Sequence, residues 1–227
     1  MNSVVRLPLQ ANAQQFQRLL ALQQVFARAC NAVAPLVRET RTWNRVALHH
    51  LAYRKLREAF PDMGSQMACN AIYSVSRAAR LVFQSPGSPF HHTRLVGKPL
   101  PLLQFLETAP VYFDRHTLSL KQGQASMYTL DGRMKFQLAL QPEQEAAFHQ
   151  RRLLEASLMR LGDQFELQFS FGDLPAGHRP PGAPASPVDC ALPGAGDAPN
   201  LKPLGTGPFP IPPVDSLPPY LNVEVPA

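Results

Sequence analysis

Apolar residues recur every three to four positions through the first third of the chain and at every second position through the middle. The opening Val4-Val5-Arg6-Leu7-Pro8-Leu9 predicts a short strand. Pro8 has no N–H to give a neighbour, which places that strand at a sheet edge. Asn12 is the expected N-cap of a helix from about Ala13 to Val37. On it Phe16, Leu19, Leu20, Val25 (or Gln23), Phe26, Cys30 and Val33 share one face. Pro35 is expected to end or kink this helix, because its ring clashes with the preceding turn. A second helix, capped by Thr42 or Asn44, reaches Phe60 with a stripe of Val46, Leu48, Leu51, Ala52 and Leu56. Pro61-Asp-Met-Gly64 reads as a turn. Ser65 then caps a third helix to about Phe83, with Met67, Ala68, Ala71, Ile72, Val75, Ala79 and Val82 facing inward. Ser85-Pro-Gly-Ser-Pro89 stops it.

After Gly97 the period shortens to two. Strands are expected over Leu102–Leu106 and Ala125–Leu130, and a hairpin of Val111–Asp114 with Thr117–Leu120 around Arg115-His116. Asp131-Gly132 is a tight-turn pair from which Arg133–Leu138 returns. Pro142–Phe148 offers one or two helical turns, and Leu153–Leu161 pairs with Gln164–Phe171 across Gly162-Asp163. The fold class expected is α+β: a small antiparallel sheet or partly closed, OB-like barrel, with a three-helix bundle inserted after its first strand. Residues 1–10 and 98–172 would form the sheet domain and 11–97 the helical one. Residues 173–227 hold 15 of the 24 prolines. With little apolar periodicity to offset ordering entropy, this tail is expected to be disordered, with Pro208-Phe-Pro-Ile-Pro-Pro213 a candidate ligand for an aromatic groove.

Charge changes the picture most. Residues 1–100 carry 13 Arg and Lys against 3 Asp and Glu, concentrated in Arg38–Arg45, Arg54–Arg57 and Arg77–Arg80. A folded domain with that imbalance points to a polyanionic partner, most commonly a phosphate backbone. Of the 22 basic residues 17 are Arg, whose planar fork suits phosphates and whose flat face suits bases. The three cysteines, Cys30, Cys69 and Cys190, are scattered and form no C-x-x-C pair, so neither a disulfide framework nor a structural zinc site is expected. The opening residues do not read as a secretory signal and no run of about 18 apolar residues stands out, so a cytoplasmic protein without a membrane partner is expected.

The order of segments resembles the amino-terminal half of the TnpB-type proteins, transposon-encoded RNA-guided endonucleases related to type V CRISPR effectors. The resemblance covers about residues 4–172. Its carriers in the first half are Val4–Leu9, Ala29-Cys30-Asn31, Tyr53-Arg54-Lys55-Leu56-Arg57, Phe60-Pro61, Ser65-Gln66-Met67-Ala68, Ala71-Ile72 and Val75-Ser-Arg77-Ala78. Later come Phe113-Asp114 before Leu118-Ser119-Leu120, and Thr129-Leu130-Asp131-Gly132-Arg133. The resemblance implies a β-barrel wedge domain interrupted by a helical recognition lobe, together cradling a guide RNA and its heteroduplex with target DNA. Family members continue into a RuvC-like nuclease with three metal-binding acidic residues and a Cys-rich zinc insert. Here the Pro-rich tail stands in that place. Asp189 in Val188-Asp189-Cys190 is the nearest counterpart of the first acidic residue, flanked by prolines that oppose a strand. Two-metal cleavage needs clustered carboxylates. The expectation is therefore a nuclease-lacking relative with no catalytic residues, no metal and no cofactor, whose partners are a structured RNA, target DNA and a separate nuclease chain.

Eight residues are candidates for nucleic-acid contact. Arg54, Lys55 and Arg57 lie on the second helix, with Glu58 the one acid nearby; the plainer reading is a solvated, salt-linked face. Asn70, Tyr73, Arg77 and Arg80 are spaced along the third helix at steps of 3, 4 and 3. Tyr73 would stack and Arg77 would meet a phosphate, or the same stems would cover the core. Arg133 sits just past a turn, within reach of RNA or simply solubilising a hairpin. His49-His50 and His91-His92 do not preform a metal site, since adjacent helical residues diverge, and Trp43 reads as core. Two other readings remain open: a truncated transposon remnant without function, and a small DNA-binding regulator built on the three helices.

Overall fold

The computed structural model describes residues 3–121, 123–173 and 217–225. It is a mixed α+β protein whose sheets are antiparallel, and none of them closes into a barrel among the described residues. In chain order the elements are β1 (Ser3–Pro8), α1 (Ala13–Thr40), α2 (Arg45–Ala59), α3 (Ser65–Gln84), β2 (Leu102–Phe105), β3 (Val111–Phe113), β4 (Leu118–Lys121), β5 (Gln124–Thr129), β6 (Gly132–Gln137), α4 (Pro142–Gln150), β7 (Arg152–Leu161), β8 (Gln164–Gly172) and β9 (Leu221–Glu224). A single 3-10 turn spans His92–Leu95.

The chain divides into two compact units, residues 1–22 with 110–195, and residues 23–109 with 196–227. In the first, a four-stranded sheet runs in the order β1-β8-β7-β3, beside a three-stranded meander β4-β5-β6. β1 is an edge strand, and Pro8 lies on it opposite Glu166. Its partner β8 is the last strand of this sheet in sequence, so all the helical chain from α1 to α3 is spliced between two neighbouring strands. Leu7, Leu9, Leu19, Leu158, Phe165, Leu167, Phe169 and Phe171 are buried. Phe16 packs its ring 5.1 Å from that of Phe165, and Phe148 of α4 meets Phe169 and Phe171 edge-on.

The second unit is built on α2, α3 and the later turns of α1. Asn12 caps α1 through a reciprocal box: its Oδ1 accepts from Gln15 N and its own N–H donates to Gln15 Oε1. α1 runs through Pro35 to Thr40 rather than ending there. Buried Val33, Ala34 and Val37 on both sides of the proline hold the turn in helical register against its missing hydrogen bond. By length and composition α1 would also cross a membrane, yet half of its apolar stretch is buried inside the protein. Asn44, not Thr42, caps α2, accepting from the N–H groups of Val46 and Ala47. Val46 and Leu51 leave the expected stripe and are exposed, whereas Leu48, Ala52 and Leu56 are buried. Gly64 occupies the N-cap of α3 with no side-chain cap bond, so Ser65 is its first residue and not its cap. Small residues along α3 let α1 approach: the Cys30 thiol lies 3.8 Å from the Ala71 carbonyl.

Three expectations are corrected. β3 and β4 form no hairpin: β3 pairs with β7 and β4 with β5. Asp114, only 4% exposed, accepts from the backbone of His116 and Thr117 and from the Thr117 hydroxyl, and this local turn redirects the chain between two sheets. The segment Leu102–Phe105 belongs with the helical unit, because its backbone partners lie there. Finally, the tail is not structureless to its end. β9 pairs antiparallel with β2, Leu221 opposite Phe105 and Val223 opposite Leu103. Leu221, 3% exposed, supplies the burial that fixes it. The remainder of the expected disordered tail, with Pro208–Pro213, Asp189 and Cys190, lies outside the described residues.

Candidate nucleic-acid interface

The helical unit, residues 23–109, carries eleven Arg and Lys against four Asp and Glu. One-to-one pairing would therefore leave at least seven cations unmatched, whatever the rotamers. Arg54 and Lys55 stand exposed on α2. Arg54 pairs with Glu58 one turn on, 2.9 Å from Nε to Oε1, but with side chains 91% and 63% exposed this contact is weak and screened. Arg57 is half-buried, and its Nη1 donates to the Met63 carbonyl, so it braces the turn between α2 and α3.

On α3 the expected polar stripe is only partly solvent-facing. Asn70 is 4% exposed, with Nδ2 directed at the Met67 sulfur 4.0 Å away, and is corrected from contact residue to core residue. Most faces of α3 are buried, so the first position of the stripe falls inside. Tyr73 is half-buried with the Arg45 guanidinium 5.4 Å from its ring centroid, an arrangement that joins α2 to α3. Arg77 and Arg80 are half-buried as well. Arg80 Nε is enclosed without a hydrogen-bond partner.

Arg133 lies in the other unit, on β6. Its guanidinium donates to the carbonyls of Ser126 (3.1 Å) and His116 (2.7 Å) and lies 5.7 Å from the Tyr128 ring centroid. It laces the β4-β5-β6 meander together, and its fork is largely committed there.

Several residues to which the sequence assigned no contact role make contacts in the structure. Arg45, at the end of the basic run Arg38–Arg45, sits at the first turn of α2 and meets the Tyr73 ring. His49 stacks on Tyr53 at 4.7 Å, with its Nε2 3.6 Å from the Cys69 sulfur. Burial, then the neighbouring His50 and Arg45 charges, hold its pKa below the ordinary value. Cys30 is fully enclosed, and burial, only partly offset by a Ser74 hydrogen bond, pushes its thiol up to about 12. Trp43 is not simply core. Its ring is half-buried, tilted against Phe83 at 5.6 Å and His92 at 6.1 Å, and opens on a hollow shared with Arg41, Val96 and Gly97. These residues come from chain positions fifty apart, so no periodicity could have joined them.

Among the candidates on α2 and α3, Arg54 and Lys55 are the ones whose charged side chains stand exposed. The chain matches no protein-family model and no curated protein.

Proposed function

We propose that the chain binds a structured RNA, and the DNA strand that pairs with it, through its basic helical unit. The observation that carries this reading is the charge imbalance of that unit together with the exposure of Arg54 and Lys55 on α2. Phosphate neutralisation by such cations supplies affinity without sequence information. Sequence would then be read by base pairing within the RNA–DNA duplex.

The connectivity supports the TnpB-type resemblance. Three helices are spliced in directly after an edge strand, and that strand pairs with the last strand of the same sheet. In this reading the open four-stranded sheet and the meander play the part of a wedge-like domain and α1–α3 that of a recognition lobe. The protein acts in the cytoplasm, does not itself cut, and leaves cleavage to a separate nuclease chain. Within the candidate set, Arg54 and Lys55 meet phosphates, with Arg77 and Arg80 of α3 as further candidates, while Arg57 and Tyr73 brace α2 and α3 and Arg133 braces the β4-β5-β6 meander of the other unit.

The test is equilibrium binding of the full chain to RNA transcribed from its own locus, to unrelated RNA of equal length, and to duplex DNA. The reading predicts preference for the locus RNA that persists at moderate salt. Preference for duplex DNA would replace it with a DNA-binding regulator, and equal weak binding to all three would leave a non-functional remnant.

A further inference from the structure

The two edges of β2 are covered in different ways. From α1, the Asn31 side-chain amide bonds both backbone groups of Phe105. The other edge is covered by β9, which residues 173–220 separate from β8. β9 pairs antiparallel, with Leu221 opposite Phe105 and Glu224 opposite Leu102. The Leu106 N–H extends this ladder to the Tyr220 carbonyl at 2.9 Å, and Gln104 Nε2 donates to Glu224 Oε2 at 2.7 Å. Both strands belong to the helical unit.

The two strands are held unequally. β2 is anchored from within: Leu100, Leu103, Phe105 and Ala109 are buried, and the Ala109 carbonyl accepts from buried Gln23. Of residues 217–225, Leu221 is the one buried side chain, while Asn222, Glu224 and Val225 are exposed. A two-stranded ribbon this short is marginal by itself. β9 therefore stays in place by one aliphatic side chain and a short ladder. Its departure would open an edge of unpaired backbone groups, the template to which extended segments add. A preformed acceptor with a lightly held occupant has the form of a receptor and its ligand.

The occupant shows what the edge accepts: an aliphatic residue opposite Phe105, a polar one, a second aliphatic opposite Leu103, and an acid within reach of Gln104. Charge agrees. Residues 217–227 hold one acid and no Lys or Arg, against eleven cations and four acids in residues 23–109. We propose that the β2 edge is a peptide-binding site for an extended aliphatic–polar–aliphatic–acidic segment of another protein, and that β9 occupies it in cis until such a segment displaces it. The proposal is independent of the nucleic-acid reading, since it uses neither Arg54 nor Lys55.

The probe is a fluorescein-labelled peptide of residues 217–226, followed by anisotropy against the full-length chain and full-length Leu221→Asp. A carboxylate cannot take the buried position, so the variant releases its own β9. The peptide should bind the variant at least about tenfold more tightly than wild type, because a tethered strand competes at high effective concentration. A peptide carrying the same Leu221→Asp change should bind neither protein. Should the variant fail to fold, hydrogen exchange of the unaltered chain decides: excess peptide should speed exchange in residues 221–224 while the Leu106 N–H stays protected. A peptide that binds neither folded protein, or both alike, overturns the proposal, as does unchanged exchange in residues 221–224. A wild-type chain that dimerises by exchanging β9 gives the site to a second copy and overturns it too.

Discussion

Arg18 on α1 is clasped by the turn that carries Asp131. Its Nε lies 3.4 Å from Asp131 Oδ2, and its Nη2 donates to the Asp131 carbonyl at 3.2 Å and to Thr129 Oγ1 at 3.0 Å. The Thr129 hydroxyl in turn donates to the Gly132 carbonyl at 2.6 Å, closing the turn from within. Gly132 has φ 94°, a conformation a side chain would strain. One buried-side arginine thus reads the backbone of the whole Thr129–Gly132 turn.

The two partners are unequal, because the Asp131 carboxylate is 72% exposed while Arg18 is 28% exposed. Arg18→Ala removes two hydrogen bonds to the turn and should cost about 1–3 kcal/mol in urea denaturation. Asp131→Asn keeps the backbone contacts and should cost less than about 1 kcal/mol. Equal losses would show that the ion pair, not the carbonyl and hydroxyl contacts, carries the clasp.

Asn31 imitates a strand. Its Oδ1 accepts from Phe105 N at 2.7 Å and its Nδ2 donates to Phe105 O at 2.9 Å, satisfying one edge of β2 while β9 pairs with the other. Asn31→Asp keeps the acceptor but sets a carboxylate against the Phe105 carbonyl. It should destabilise by roughly 1–3 kcal/mol, more than a typical exposed change. Thermal melts of the two proteins at pH 7 compare them directly.

The cysteines should separate by reactivity. Cys30, with its thiol pushed up to about 12 and no exposed surface, should resist iodoacetamide at pH 8 until the protein unfolds. Cys69 is half-buried and should label first of the two. Mass mapping of labelled peptides over time tests this. Native-state labelling of Cys30 at the Cys69 rate would contradict the tight α1–α3 packing.

His49 gives a pH dependence with a definite sign. Its folded pKa is lowered, first by burial and then by His50 and Arg45. As pH falls through the ordinary value of 6.5 toward the folded one, the unfolded chain takes up a proton that the folded chain refuses, so stability falls. The penalty is absent above that window and complete below it. His49→Gln should flatten the fall in melting temperature between about pH 7 and 5, in the range where histidines titrate. An unchanged slope would place the acid sensitivity elsewhere.

The helices were legible because burial on one face writes a 3.6-residue period into the sequence, and Pro8 marked the edge strand because a proline cannot serve a central one. Pairing partners were less legible. Two short strands two residues apart look like a hairpin, and the Asp114–Thr117 turn that separates them depends on a carboxylate whose burial no local pattern announces. β9 was hidden because Leu221 and Val223 alternate for only four residues among prolines. At the candidate interface, spacing identified α2's exposed cations but could not tell that α3 is enclosed on most sides, which is why Asn70 proved to be core. Trp43, His92 and Arg41 meet only once the chain is folded.

The central claim is that α2's cations neutralise phosphates. The most direct test is the salt dependence of RNA affinity for the full chain and for Arg54→Ala/Lys55→Ala. Wild type should give a steep linear fall of log affinity with log salt. The double variant should give a slope shallower by about 0.7 per lost phosphate contact, roughly 1.4 in all, with an unchanged melting temperature. A slope identical in the two proteins would contradict the claim.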